Sequence, residues 1–357
     1  HPEFANISVG AKHDRSKSFL LTNNLSAVML RPYKIGMLPI ETLFILIEIS
    51  CSPRVAVEKG SYLFMKKINR VAVIGGTHGN ELTGIYLVNK FERSPNLIAR
   101  SNFQTVAMLA NPKACKIGKR YIDIDLNRCF LRQDLENYNL STYEALRAKE
   151  IYQIFGSNNT DNPDLIIDLH NTTANMGITF ILDSQHPFNL GLTAYLTSFS
   201  PNIKVLVSGK YNQDSSVLRS ISPLGLTLEV GPVAQGILDG SLFQQTEEII
   251  GTILDYVELY NQGKIPPAEN PLTIYEKIQT IDYPRNELGE IQAMIHPRLQ
   301  FRDYQPVNPG DPMFLTFDGD EILYEGISTV YPVFINEAAY YEKGIAMYLT
   351  QKQRVGY

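Results

Sequence analysis

An imidazole and a carboxylate stand three residues apart in the run Gly75-Gly76-Thr77-His78-Gly79-Asn80-Glu81. The run follows the apolar stretch Val71-Ala72-Val73-Ile74, so the pair falls where a buried strand hands over to a helix, and two neighbouring ligands of a zinc ion are commonly presented in this way. Glycines at 75, 76 and 79 let the backbone turn tightly there. A third ligand further along would leave one coordination position for water, the arrangement of a hydrolytic site rather than a structural one.

His170 is the candidate for that ligand. It closes the apolar run Leu165-Ile166-Ile167-Asp168-Leu169 and is followed by Asn171, Thr172 and Thr173, a polar cluster at a strand end, where open α/β sheets carry their chemistry. A hydrogen-bonded core histidine is the alternative reading. Asp168, two residues back, could orient a ligand as a supporting carboxylate or serve as a buried hydrogen-bond acceptor. His186 and His296 each precede proline in loop-like text and read as structural or exposed, while His1 and His13 fall in a segment unlike the rest.

Two further groups could complete a reaction. Arg120-Tyr121-Ile122-Asp123-Ile124-Asp125-Leu126-Asn127-Arg128 offers two guanidinium groups and an amide, able to grip a carboxylate and polarise a carbonyl, or else to form a surface salt-bridge network. Glu229 ends the apolar run 224–228 and precedes Val230-Gly231-Pro232. A poorly solvated carboxylate there would have a raised pKa suited to a general base; a buried ion pair is the alternative.

Positioning these groups requires strands that end together. Short apolar, often β-branched segments at 71–74, 105–109, 165–169, 179–182 and 226–230 read as buried strands. Helical spacing occupies 81–91 and 143–155, and most clearly 241–261, with Gly263 as the stop. The alternation predicts an α/β domain with a largely parallel sheet flanked by helices. Residues 264–271 contain three prolines and read as a linker; beyond them, short strands between Pro and Gly turns, including a hairpin around Asp318-Gly319, predict a smaller β-rich domain.

The 357 residues carry a formal charge of -5, are 44% hydrophobic and 19% charged, which suits a folded globular protein and disfavours nucleic acid as a partner. Three cysteines, Cys51, Cys115 and Cys129, show no paired spacing, so neither a disulfide framework nor a thiolate metal site is expected and a cytoplasmic setting fits. Residues 1–64 differ from the remainder. Their apolar patch at 35–49 is broken by Pro39, Glu41 and Glu48, too short and polar to span a bilayer. Met65-Lys66-Lys67 reads as a translation start and His1-Pro2-Glu3-Phe4 as vector-derived sequence, so 1–64 are expected to be an extension outside the enzyme.

Taken together these segments resemble the aspartoacylase family of zinc amidohydrolases, within the zinc carboxypeptidase-like group. The motifs are Gly75 to Gly84, Arg120-Tyr121-Ile122-Asp123 with Asp125-Leu126-Asn127-Arg128, Asp168 to Thr173, Leu228-Glu229-Val230-Gly231-Pro232 and Val333 to Tyr341. The resemblance implies a mostly parallel mixed sheet flanked by helices, a catalytic domain at 65–264 and a β-rich C-terminal domain at 265–357 capping the site. It also implies one zinc ion per chain on His78, Glu81 and His170, with Glu229 as general base and Arg120 polarising the scissile carbonyl. Asn127 and Arg128 would hold the substrate's α-carboxylate; Arg219 and Tyr340 would meet the side chain of an acidic N-acyl amino acid, N-acetyl-L-aspartate foremost. A homodimer is a further expectation from the family. One departure stands out: animal aspartoacylases have a substrate-contacting tyrosine four residues before the arginine, where this chain has Ser215, with Tyr211 as a possible substitute. The rival readings are an acylase for N-acyl aromatic amino acids, a zinc carboxypeptidase, and a non-catalytic binding protein, although such a protein usually lacks a ligand or the base.

Overall fold

In the computed structural model the described residues are 66–156, 162–209, 215–267 and 271–356. Residues 1–65, and with them the expected translation start, His1, His13 and Cys51, lie outside them, as does Tyr211. The strands are β1 (Arg70–Gly75), β2 (Gln104–Leu109), β3 (Leu165–Asn171), β4 (Gly177–Leu182), β5 (Lys204–Val207) and β6 (Leu226–Gly231), then β7 (Leu272–Ile281), β8 (Ala293–Ile295), β9 (Pro312–Thr316), β10 (Glu321–Leu323), β11 (Tyr331–Val333) and β12 (Met347–Val355). The helices are α1 (Leu82–Arg93), α2 (Pro112–Ile117), α3 (Arg132–Glu136), α4 (Tyr143–Phe155), α5 (Pro187–Phe199) and α6 (Gly240–Asn261).

Among the described residues, nine strands form one sheet in the order β11-β12-β7-β5-β4-β6-β3-β1-β2, and β10-β9-β8 form a second. Strand β1 is parallel to β2 and β3, β3 to β6, and β5 to both β4 and β7. Strand β4 runs antiparallel to β6, and β12 antiparallel to β7 and β11. The sheet is therefore mixed and mostly parallel, as the sequence predicts. Strands β3 and β6 are buried along their whole length because both faces of the sheet are covered. Val71 and Val73 of β1 pack with Leu87 and Phe91 of α1 and Ile250 and Ile253 of α6, whereas Ala72 and Ile74 face Ala148, Ile151 and Phe155 of α4. Each Val, Leu, Ile or Phe side chain among these contributes about 1.5–3 kcal/mol on burial. Alternate β1 residues thus serve two cores, the period of two expected of a strand.

The strands beyond residue 271 do two jobs. Strands β7, β11 and β12 extend the main sheet, while β8, β9 and β10 build the separate three-stranded sheet that contains the predicted hairpin. Turn residues announce short strands but not which sheet edge will accept them. A tyrosine-rich cluster including Tyr275, Tyr304 and Phe334 joins this region to Ile181 of β4 and Leu206 of β5. Helix α5 and strand β5 carry no clear signal in the sequence: α5 contains Gly191, Thr193 and Thr197, weak helix formers, and depends on burial of Leu190, Leu192 and Leu196. Among the described residues no helix is long and apolar enough to cross a membrane.

Candidate active site

The C-terminal ends of β1, β3 and β6 share one edge of the sheet because the three strands are parallel. His78 and Glu81 lie between β1 and α1, and Gly76 makes the turn with φ of +66°, a left-handed conformation that favours glycine. Gly79 approaches α2 so closely that a Cβ would lie 2.1 Å from the Ala114 carbonyl carbon, and its N–H donates to Arg120 O at 3.1 Å. His170 lies on β3, and the register sets Glu229 of β6 directly beside it. His78, His170 and Glu229, between 59 and 151 positions apart in the sequence, thus meet at one sheet edge.

His78, Glu81 and His170 are all buried, and their potential ligand atoms lie within 4.8 Å of one another. Glu81 Oε1 is 2.7 Å from His78 Nδ1, Glu81 Oε2 is 2.9 Å from His170 Nδ1, and the two Nδ1 atoms are 3.1 Å apart. The far side of each ring is held by another carboxylate: Asp168 Oδ2 lies 2.8 Å from His170 Nε2, and Asp125 Oδ1 lies 2.9 Å from His78 Nε2. A neutral imidazole can donate only from its protonated nitrogen. With Nε2–H directed at a carboxylate, each Nδ1 presents a lone pair, so two lone pairs and a carboxylate face one another. Such a convergence needs a cation, and the donor set fits a divalent metal ion. Burial notwithstanding, Asp168 and Glu81 hold the His170 pKa well above its ordinary value, which reflects the same demand for positive charge.

The supporting carboxylates are themselves anchored. Asp168 Oδ1 accepts the Thr77 hydroxyl at 2.7 Å. Asp125 accepts Asn127 N at 3.0 Å and Lys343 Nζ at 2.6 Å; burial would raise its pKa, but His78, Arg120 and Lys343 together hold it below the usual carboxylate range. Asp168 was open to two roles in the sequence, and its contact with His170 is the orienting one. Asp125 could have been noticed as a carboxylate between the two arginines, but its partners come from three separate segments.

Glu229 differs from every other acid in the site. It is 7% exposed and lines the cavity, yet its carboxylate has no hydrogen-bond donor among the described residues. Desolvation raises its pKa to about 8, with His170 opposing. Arg120 places Nη1 2.9 Å from Glu81 Oε1 and Nη2 3.6 Å from Asp125 Oδ2, while its buried Nε has no hydrogen-bond partner among the described residues. Asn127 Oδ1 accepts Leu218 N at 2.8 Å. Arg128, exposed at the cavity mouth, donates to Asn127 O at 2.6 Å and has no carboxylate partner among the described residues.

These residues border a cavity of about 250 Å³, near the lower end for small-ligand pockets. Arg219 forms its deep end. The guanidinium meets Asp183 through Nε at 3.1 Å and Nη2 at 2.5 Å, and donates from Nη1 to Thr227 Oγ1 at 2.9 Å, so its charge is already compensated. Tyr340 projects from the turn Ala338–Lys343 and packs on Phe334 and Tyr348. That turn is fixed by buried Glu337, which accepts Thr173 N at 2.7 Å, Ala174 N at 3.2 Å and the hydroxyls of Thr172 and Thr173. Ser215 lines the same cavity. Of the histidines set aside in the sequence, exposed His186 caps α5 and buried His296 pairs with Glu321. Cys129 is buried with its thiol pushed up to about 12, as an unreactive thiol should be.

Residues 67–257 match the succinylglutamate desuccinylase/aspartoacylase catalytic domain, and residues 270–352 match the AstE/AspA barrel-sandwich hybrid domain. A protein named probable aspartoacylase from Nostoc sp. is 58% identical over 291 residues, which cover 82% of this chain and 99% of the relative. The human N-acyl-aromatic-L-amino acid amidohydrolase (carboxylate-forming) is 43% identical, covering 80% of this chain and 91% of its own length. The crystal structure of murine aminoacylase 3 superposes with a TM-score of 0.76 at 39% identity, covering 82% of this chain and 97% of that one.

Proposed function

The chain belongs to the succinylglutamate desuccinylase/aspartoacylase family, and from that premise we propose that it hydrolyses the amide bond of N-acyl amino acids, N-acetyl-L-aspartate foremost, to a carboxylate and a free amino acid. The observation that carries this reading is Glu229, a buried carboxylate without a donor, set by strand register beside a convergent His-Glu-His group.

In this reading His78, Glu81 and His170 hold one zinc ion per chain, since two imidazoles and one carboxylate form a catalytic zinc donor set. The ion supplies Lewis acidity, which polarises a carbonyl and acidifies water. Glu229 takes a proton from the attacking water and later delivers it to the leaving nitrogen as the C–N bond breaks, a role that suits a carboxylate with its pKa raised by burial. Arg120 donates N–H to the carbonyl oxygen as negative charge builds there. Asn127 and Arg128 hold the α-carboxylate at the mouth. Tyr340 and Arg219 border the end that receives the amino-acid side chain.

In this reading a catalytic domain spans 65–264 and a C-terminal domain at 265–357 closes the cavity through Tyr340. A cytoplasmic setting accords with Cys115 and Cys129 remaining free, and light scattering would test for the homodimer. The Asp183 partner of Arg219 favours a second reading, hydrolysis of N-acyl amino acids with neutral or aromatic side chains. Turnover by the zinc-loaded protein on N-acetyl-aspartate, N-acetyl-glutamate and N-acetyl-phenylalanine separates the two. The first reading expects the acidic substrates to be preferred; hydrolysis of none of the three overturns both.

A further inference from the structure

The segment that carries Arg120, Asp125, Asn127 and Arg128 has little regular structure of its own. Between α2, which ends at Ile117, and a single helical turn at Leu126–Arg128, residues 118–125 form neither helix nor strand. Such a stretch must be held from outside if its side chains are to keep fixed positions. The group that holds it is Glu144, in the first turn of α4.

An acidic residue at a helix start ordinarily complements the positive end of the helix dipole, and in the sequence Glu144 asks for no other explanation. In the structure its carboxylate makes four hydrogen bonds outside α4. Oε1 accepts Ile122 N at 2.7 Å and Asn111 Nδ2 at 3.1 Å, and Oε2 accepts Asp123 N at 3.0 Å and Ile124 N at 3.2 Å. An ionised carboxylate has about four acceptor sites, so all are filled, and all four donors are neutral amides. The residue is fully buried, which leaves no water to replace a lost partner.

The grip is reciprocal. Asp123 Oδ2 accepts Tyr143 N at 2.8 Å at the start of α4, where Thr142 supplies no side-chain cap. Helix α4 is a firm base, since Ala148, Ile151 and Phe155 pack on β1 and Arg147 donates to Ala110 O at 2.7 Å and Leu109 O at 3.2 Å. Asn111 extends the connection to the turn before His78, because its N–H donates to Gly76 O at 3.0 Å. The pinned residues 122–124 stand between Arg120, the proposed donor to the scissile carbonyl, and Asn127 and Arg128, the proposed clamp on the α-carboxylate. Holding them fixes the interval between those two groups.

We propose that Glu144 is a positioning residue for the hydrolysis, a buried carboxylate that sets the 120–128 segment so that its carbonyl donor and its α-carboxylate clamp match one substrate. This deepens the proposed function and rests on it. Glu144 does not border the cavity and acts only through the backbone it holds. Glu144→Gln keeps the size of the side chain but leaves one acceptor oxygen where two are needed. Whichever way the amide lies, two of the four donors meet its NH2 group, and the segment must shift to satisfy them.

The test compares kcat/KM for N-acetyl-L-aspartate with that for its α-carboxamide in the zinc-loaded wild type, Glu144→Gln and Asp123→Ala. The ratio of the two does not depend on how much of the protein is folded or metal-loaded, so a merely structural role leaves it unchanged. A misplacement of the clamp predicts that Glu144→Gln lowers the ratio about 10- to 100-fold. Asp123→Ala, at an exposed position, removes the acceptor of Tyr143 N; it should lower the ratio less but in the same direction, and it carries the test if Glu144→Gln does not fold. In an Arg128→Met background, where the charge of the clamp is already gone, either substitution should change the ratio less than it does alone. A ratio held within about twofold in every variant that folds, or equal changes in both backgrounds, overturns the assignment. A wild type that hydrolyses neither substrate, or both alike, instead sinks the parent reading.

Discussion

Replacing Glu229 by glutamine tests the centre of the chemistry, because it preserves shape and removes the proton acceptor. The Glu229 side chain accepts from no described residue, so Glu229→Gln breaks no side-chain hydrogen bond, and its 7% exposure leaves little room for solvent to substitute. A positioned general base contributes about 10²- to 10⁴-fold, or about 3–5 kcal/mol of barrier at 1.36 kcal/mol per tenfold. Turnover should fall by that factor, while metal content, measured by atomic emission, and thermal stability remain near wild type. The wild type should also show an acidic limb in kcat/KM, because the base works only when ionised and its pKa is raised to about 8 by desolvation. A divalent cation nearby favours the ionised form, so the midpoint should fall below about 8 and above the ordinary carboxylate value of 4.5. Glu229→Gln should lose that limb. Near-normal turnover with full metal content, or an unchanged limb in the variant, refutes the assignment.

Asp168→Asn keeps an acceptor for His170 Nε2 but removes the charge behind it, and should weaken metal binding about 10- to 100-fold in competition with a chromophoric chelator; unchanged affinity would remove Asp168 from that role. Gly79→Ala places a Cβ 2.1 Å from the Ala114 carbonyl carbon, a backbone contact that cannot yield, so urea unfolding should show a loss of about 3 kcal/mol or more, and a loss under about 1 kcal/mol contradicts the packing. Asp303 is buried and accepts the backbone N–H groups of Asn175 and Ile335, with its pKa raised from 3.8 to about 6 chiefly by desolvation. Its raised pKa favours the folded state below about pH 4, and that contribution is lost as pH rises through about 6. Relative to Asp303→Asn, the wild type should therefore lose on the order of 2–3 kcal/mol between pH 4 and pH 7; a pH-independent difference between the two would rule this out.

Much of the site was legible because it depends on local order. A short apolar run followed by a polar residue marks a strand end, and His78, His170 and Glu229 all obey that rule. The parallel sheet implied by alternating strands and helices then brings such ends together. Helix α6 was equally clear from its spacing, whereas α5 was hidden because its stability comes from burial rather than from helix-forming residues. The C-terminal strands were visible as strands, but their partners were not.

By itself the sequence determined which side chains could hold a metal ion, which carboxylate could act as base, and that the sheet would carry them on one edge, since each follows from residues adjacent in the chain. Only the tertiary structure decided how the charges are shared. Asp125 reaches His78 and Lys343 across three segments, and Asp183 compensates Arg219 because β4 runs antiparallel to β6 and ends beneath the cavity. Lys277 reaches the cavity and the Tyr348 ring because β7 joins the main sheet beside β5. Compensation falls off within a few ångströms, and distances between residues far apart in the chain are fixed only when the strands take their order and direction.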